Sequence, residues 1–151
     1  MFDPVLKRVA ACTVFLLITW MFGCQPVSRD EVARQSSPDG TLEAVLYETN
    51  GGATTSFGYQ AEIREKNSSR GIIVANLYGA KRNAGAYGLN LKWINDHELE
   101  LEYLTAISVT VTEPQAKVAG RRVSVSLQNG MEDATAPDGG MLYNLRKGAP
   151  R

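Results

Sequence analysis

The order of hydrophobic and polar residues along the chain predicts many short β-strands. Residues 41–48 alternate, with Leu42, Ala44 and Leu46 on one face, which is the period of a half-buried strand. Similar short patterns follow turn sequences rich in Gly, Asn, Asp and Ser, at 57–63, 72–77, 89–93, 99–103, 107–111 and 123–127. No long helical period interrupts them. The pattern therefore predicts an all-β fold, a single small antiparallel meander or sandwich of about seven strands.

The same pattern divides the chain into four segments. Residues 1–23 are apolar after a short basic start, and residues 24–36 are polar and charged, which predicts a hydrated tether. A capping-box pattern beginning at Ser28 leaves a short helical turn over 31–34 as an alternative. The turn sequence Ser37-Pro38-Asp39-Gly40 opens the β domain, over 37–128. Residues 129–151 are a loop and a C-terminal extension, in which 141–145 predicts one edge strand.

The first segment has the organisation of an export signal. Lys7 and Arg8 precede the apolar run 9–22, and a small residue, Gly23, stands before Cys24. This end resembles the bacterial lipoprotein signal, which implies cleavage before Cys24 and acyl chains on that residue. Two alternatives stay open. The run could be an uncleaved anchor, although it is short against the roughly 20 residues of a membrane-spanning helix, or an ordinary signal peptide with Cys24 incidental.

Cysteine usage agrees with the lipoprotein interpretation. Cys12 lies inside the apolar run, so Cys24 is the one thiol left after cleavage and no internal disulfide can form. Gln25 follows, where the resemblance would place Asp in a lipoprotein kept at the inner membrane. We therefore expect a cell-envelope protein, in the outer membrane facing the periplasm if the host has two membranes, and otherwise on the outer face of the cell membrane.

Charge excludes one class of partner and suggests no cofactor. The chain has 16 Lys and Arg against 16 Asp and Glu, which is unlike the strongly basic balance of a nucleic-acid-binding domain. No spacing of residues predicts a metal or cofactor site. Three basic pairs stand on separate segments and would contact anionic headgroups or cell-wall polymer only if the fold brings them together. They are Lys81/Arg82, Arg121/Arg122 and Arg146/Lys147.

The loop at 50–55 is the most suggestive stretch for ligand binding. Successive glycine amides can form an anion-binding nest, and threonine hydroxyls add donors. The candidate ligand residues are Asn50, Gly51, Gly52, Thr54 and Thr55. No lysine or helix follows as a phosphate loop requires. The alternative, a hairpin loop whose glycines only make the bend, stays open.

Other chemistry-bearing residues have plain structural interpretations. His97 is the only histidine and lies in a predicted turn, where a solvated side chain is the default. Glu98, Glu100 and Glu102 share one face of a strand, which is typical of a solvated or charged edge. We therefore predict no catalytic residue.

Three sequence elements together resemble a family of small bacterial envelope proteins, often lipoproteins, built on a domain of unknown function. They are Ser37-Pro38-Asp39-Gly40, the loop from Asn50 to Thr55, and Lys92-Trp93-Ile94-Asn95-Asp96. The resemblance covers about 37–104, and the stretch 105–151 is longer than the family implies. It implies a small β domain held at a membrane and no activity.

Three hypotheses about function follow. The first is a lipid-anchored envelope module that binds or scaffolds an envelope protein or cell-wall partner without catalysis. The second is an envelope hydrolase or glycan-binding enzyme, which would use carboxylates such as Glu62 or Asp96 with the 50–55 loop and needs two of them in one cleft. The third is an inhibitor or immunity-type protein that sequesters an envelope partner.

Overall fold

The computed structural model describes residues 27–148 and places nine strands and one helix in them. The first sheet has five strands in the order β1-β2-β3-β4-β7, and the second has four in the order β5-β6-β9-β8. The strands and the helix are β1 Ser28–Ser36, β2 Leu42–Asn50, β3 Gly58–Glu65, β4 Gly71–Tyr78, β5 Asn90–Asn95, β6 Glu98–Tyr103, β7 Ser108–Val111, β8 Gln115–Val118, β9 Arg121–Asn129 and α1 Met141–Gly148. The all-β prediction is confirmed.

The core lies between the two sheets. Alternate residues of each strand point inward, so the side chains of Leu42, Ala44 and Leu46 on β2 meet those of the second sheet. The second sheet contributes Trp93, Leu99, Leu101, Val123 and Val125 to the same cluster. Both sheets therefore belong to one domain.

Segment 28–36 is not the tether that the sequence predicts. It forms β1, which pairs antiparallel with β2 from Ser28↔Asn50 to Ser36↔Glu43. The Trp93 indole also donates to the Gln35 carbonyl at 3.0 Å, which joins β1 to β5 in the other sheet. An edge strand needs pairing on one side only and carries charge on its exposed face, so its sequence looks like that of a solvated segment.

Two further predictions are wrong in detail. Residues 141–145, expected as an edge strand, begin helix α1, because a short apolar run has no period that separates strand from helix. The sheets are also not wholly antiparallel, since β6 and β9 pair in parallel. Between β6 and β9 the chain passes through β7 in the first sheet and β8 at the edge of the second, which supplies the long crossover that a parallel pair requires.

The two ends of the sandwich are built differently. The turn end consists of the turns at 37–41, 66–70, 95–97 and 119–120. The helix end consists of 51–57, 79–89, 104–107, 130–140, the start of β1 and α1. Backbone hydrogen bonds join the loops of the helix end, among them Gly79 to Phe57, Lys81 to Thr105 and Tyr87 to Gly139, at 2.8–2.9 Å.

Candidate functional site

The predicted ligand loop is exposed at the helix end and is closed largely by its own hydrogen bonds. The Asn50 side-chain oxygen accepts from the Gly52 amide at 2.8 Å, and the Gly52 carbonyl accepts from the Thr55 amide and hydroxyl at 3.2 and 3.1 Å. Gly52 has a positive φ of 108°, which favours glycine. The Gly52 amide, which a nest would offer to an anion, is therefore used within the turn. Gly51 and Thr54 are exposed beside it.

Asn50 also lines a groove of about 420 Å³ between this loop and α1. The rings of Phe57 and Tyr87 form one wall, with centroids 5.3 Å apart. Tyr143 and Arg146 of α1 line it as well. Aromatic side chains with a few polar groups around them are typical of binding grooves. Of the predicted loop residues, the structure brings Asn50 alone into the groove lining.

Glu48, 3% exposed, also lines this groove, and its carboxylate accepts from the first amides of α1. One oxygen accepts from the Met141 amide and from the Tyr59 hydroxyl, both at 2.7 Å, and the other accepts from the Leu142 amide at 3.4 Å. A helix N-terminus favours negative charge because its first amides have no partner within the helix. Burial, followed by the bond to Glu48, raises the pKa of Tyr59 far above its ordinary value. Glu48 therefore fixes α1 to the sandwich.

A second polar group holds the loop that leads into α1. Arg82 is buried, and its Nε donates to the Tyr87 carbonyl at 3.3 Å. Burial lowers the pKa of Arg82, and Asp133, with Oδ2 at 4.0 Å from Nη1, opposes that effect. The pKa of Asp133 lies below its ordinary value, and the largest cause is the hydrogen bond from the Thr135 hydroxyl. These bonds support the position of α1 from its N-terminal side.

The outer face of the first sheet carries a network of alternating charges. Arg34 contacts both Glu31 at 2.8 Å and Glu43 at 2.7 Å. The bond from Arg34 lowers the pKa of Glu31. Glu62 lies on this face, where Arg29 reaches it at 3.4 Å. These charged side chains are paired with one another, and the pairing has a structural role in joining neighbouring strands.

The residues proposed for an enzyme lie apart. Asp96 accepts from the Asp39 amide at 2.8 Å at the turn end, whereas the 50–55 loop follows the opposite end of β2. Along a nine-residue strand these ends lie roughly 27 Å apart. His97 is exposed at the turn end, and its Nδ1 lies 3.2 Å from the Arg122 carbonyl oxygen. The structure brings neither residue to the groove.

The glutamate row and the basic pairs also have clear positions. Glu100 and Glu102 are half-buried and share Lys92 Nζ at 3.1 and 2.7 Å, which raises the lysine pKa. Two basic pairs, Lys81/Arg82 and Arg146/Lys147, lie at the helix end, with Arg82 buried there. Arg121 lies at the turn end, where it bonds Asp39 at 2.6 Å. The three pairs therefore do not converge on one surface.

Sequence reasoning missed Glu48 and α1 as parts of this site. A signal for Glu48 was present, because it continues the buried positions Leu42, Ala44 and Leu46 of β2. A carboxylate in a buried position needs a specific partner. That partner, the start of α1, is more than ninety residues away in sequence, and nothing in the local pattern identifies it.

Across residues 27–148, no helix is long and apolar enough to cross a membrane, and no group of three or more His, Cys, Asp or Glu side chains could hold a metal ion. Cys24, the predicted site of lipidation, lies outside these residues. Comparison with known protein families, with characterised proteins and with solved structures gives no match to this chain.

Proposed function

We propose that this chain is a lipid-anchored bacterial envelope protein whose β domain binds or scaffolds a partner rather than catalysing a reaction. The observation that carries the proposal is the junction at Gly23 and Cys24, where an apolar run of signal-peptide length ends at the only thiol left after cleavage. The envelope location follows from the export signal as a whole, and the acyl anchor depends on this junction.

The arrangement of the described domain supports a binding role. Glu48 and Asp133 are committed to holding α1 and its preceding loop, and Glu62 is engaged by arginine. The groove between the 50–55 loop and α1 is lined by the rings of Phe57 and Tyr87 as well as by Glu48. We assign ligand or partner contact to its aromatic wall.

The intact mass of the protein extracted from bacterial membranes tests the anchor. We expect a species that begins at Cys24 and carries a diacylglyceryl mass, and a larger precursor when lipoprotein signal peptidase is inhibited. Cys24→Ser is the matched control and should give no lipidated species. An unmodified full-length chain in membranes would overturn the anchor and with it the outer-membrane inference from Gln25.

A further inference from the structure

The start of β1 limits how far the domain can stand from the membrane. Three residues, Gln25, Pro26 and Val27, separate Cys24 from Ser28. Even fully extended, the four steps from Cys24 to Ser28 span at most about 14 Å. The headgroup layer on one side of a bilayer takes roughly 5–7 Å of that reach. A chain held by acyl groups on Cys24 therefore keeps the helix end close to the membrane surface.

The large apolar side chains exposed in the described residues are concentrated at this same end. Two of them, Ile73 and Ile94, lie elsewhere, on the outer sheet face and near the turn end. The remaining six are at the helix end: Val27, Tyr78, Ile107, Met131, Tyr143 and Leu145. Ile107 is 69% exposed, and Tyr143 and Leu145 are each 55% exposed. Such clustering marks an interaction surface, whereas scattered apolar residues need no explanation.

Helix α1 has the side chains of a membrane-surface segment. Met141 and Asn144 are buried. Tyr143 and Leu145, on opposite sides of the helix, are exposed together with the cations Arg146 and Lys147. The Lys147 ammonium lies 5.3 Å from the centroid of the Tyr143 ring. Tyrosine favours the interface between lipid and water, and long basic side chains extend from apolar surface towards phosphates. Glu132 and Asp138 are exposed in the preceding loop, so the basic character belongs to α1.

We propose that the helix end is a membrane-docking surface, with Tyr143 and Leu145 inserted at the lipid–water interface and Arg146 and Lys147 beside anionic headgroups. This inference rests on the proposed lipid anchor, which brings the surface to the bilayer. Docking fixes the orientation of the sandwich, so that the turn end points away from the membrane.

The test uses the chain that begins at Cys24, coupled through this single thiol to maleimide-bearing lipid in vesicles. Chemical coupling replaces cellular acylation, so the result does not depend on the intact-mass experiment. A tryptophan is placed at the helix end by Leu145→Trp, with Tyr143→Trp as a second position. Ile94→Trp is the matched control, since Ile94 is 45% exposed near the turn end. Trp93, which is 9% exposed, contributes the same background fluorescence in all three variants.

Vesicles that contain brominated phosphatidylglycerol should quench the helix-end tryptophans by about twofold more than the control tryptophan. Replacing this lipid with brominated phosphatidylcholine should reduce the difference, as should the double change Arg146→Gln and Lys147→Gln. Equal quenching of helix-end and control tryptophans would overturn the proposal. A concentration-dependent blue shift of the Leu145→Trp variant's emission without vesicles would also overturn it, because it would show that a second copy of the chain covers this surface.

Discussion

The two ends of the sandwich satisfy their polar groups in contrasting ways. At the turn end, Asp39 organises its own turn by accepting from the Ser37 hydroxyl at 2.7 Å and from the Thr41 amide at 3.1 Å. Arg121 and Asp96 then attach neighbouring turns to it. The bonds within the turn are local, whereas Arg121 and Asp96 are 82 and 57 residues from Asp39 in sequence. The turn end is therefore a set of short turns, joined to one another by exposed side-chain bonds.

The helix end depends on contacts between distant parts of the chain. Glu48 receives the amides of α1, and Asn83 donates to the carbonyls of Asp133 and Ala136 at 3.0 and 2.8 Å. Its connections are longer, and most of the exposed large apolar side chains of the described residues lie there. The turn end thus closes the fold with short turns, whereas the helix end combines a long-range polar scaffold with exposed apolar side chains.

The largest expected effect comes from removing the charge that holds α1. Glu48→Gln should lower the free energy of unfolding by about 2 kcal/mol, because a buried amide group cannot accept all the donors that the carboxylate satisfies. Asp39→Asn, the corresponding change at the turn end, should cost less because its surroundings are exposed. Urea titration of both variants measures the difference. Equal losses of unfolding free energy in the two variants would contradict the proposed difference between the two ends.

Hydrogen exchange adds a positional control to this experiment. In Glu48→Gln, the amides of α1 should exchange faster while those of β6 and β9 stay protected. Tyr59→Phe removes one donor to the same carboxylate and should give a smaller loss, of about 1 kcal/mol. Unchanged protection of α1 in Glu48→Gln would show that the helix is held by its apolar contacts alone.

The turn end was largely predictable from sequence, because its signals are local. Ser37-Pro38-Asp39-Gly40 and Asn95-Asp96-His97 carry turn chemistry within a few residues. The strands between such turns followed from alternation. Strand β8 was missed, being four residues long, although Ala119 and Gly120, both with positive φ, close its hairpin with β9.

The helix end was poorly predictable, because its structure comes from tertiary contacts. Residues Met141–Gly148 form a helix whose first amides donate to Glu48. No residue near the helix in the sequence indicates that partner. β1 is a strand because β2 offers an edge, although Val32 and Ala33 are its only apolar residues. The loop composition predicts Asn50 as a ligand residue, but the aromatic groove beside it depends on α1. Local patterns do not specify such a site.

Acid should loosen the helix end before the turn end. Asp133 and Asp39 both have pKa values below the ordinary 3.8, and that of Asp39 is the more strongly lowered. A lowered pKa means that each carboxylate contributes stability fully above about pH 4 and loses it as the pH falls through its folded pKa. Between about pH 4 and pH 2, Asp133 should therefore release Thr135 and Asn90 first.

The measurement is the free energy of unfolding of the wild type and of Asp133→Asn as the pH is lowered. The difference in the free energy of unfolding between the wild type and Asp133→Asn should narrow below about pH 4. Protonation of Asp133 in the wild type removes the same negative charge that the substitution has already removed. For Asp39→Asn the narrowing should begin at the same pH but continue to lower pH, because the folded pKa of Asp39 is the more strongly lowered. Narrowing that ends at a higher pH for Asp39 than for Asp133 would reverse the order of the two ends.

The smallest expected effect on stability sharpens the comparison most, because it separates folding from function at the helix end. Leu145→Gln removes an apolar side chain that is 55% exposed, so the free energy of unfolding should stay within about 0.5 kcal/mol of the wild type. Ile94→Gln, the matched change near the turn end, should be equally mild. Attached to vesicles, only the Leu145→Gln chain should dock less well, seen as weaker lipid quenching of a tryptophan at position 143. A large loss of stability in Leu145→Gln would mean that the exposed apolar groups serve the fold, and the helix end would then have no side chains reserved for a membrane.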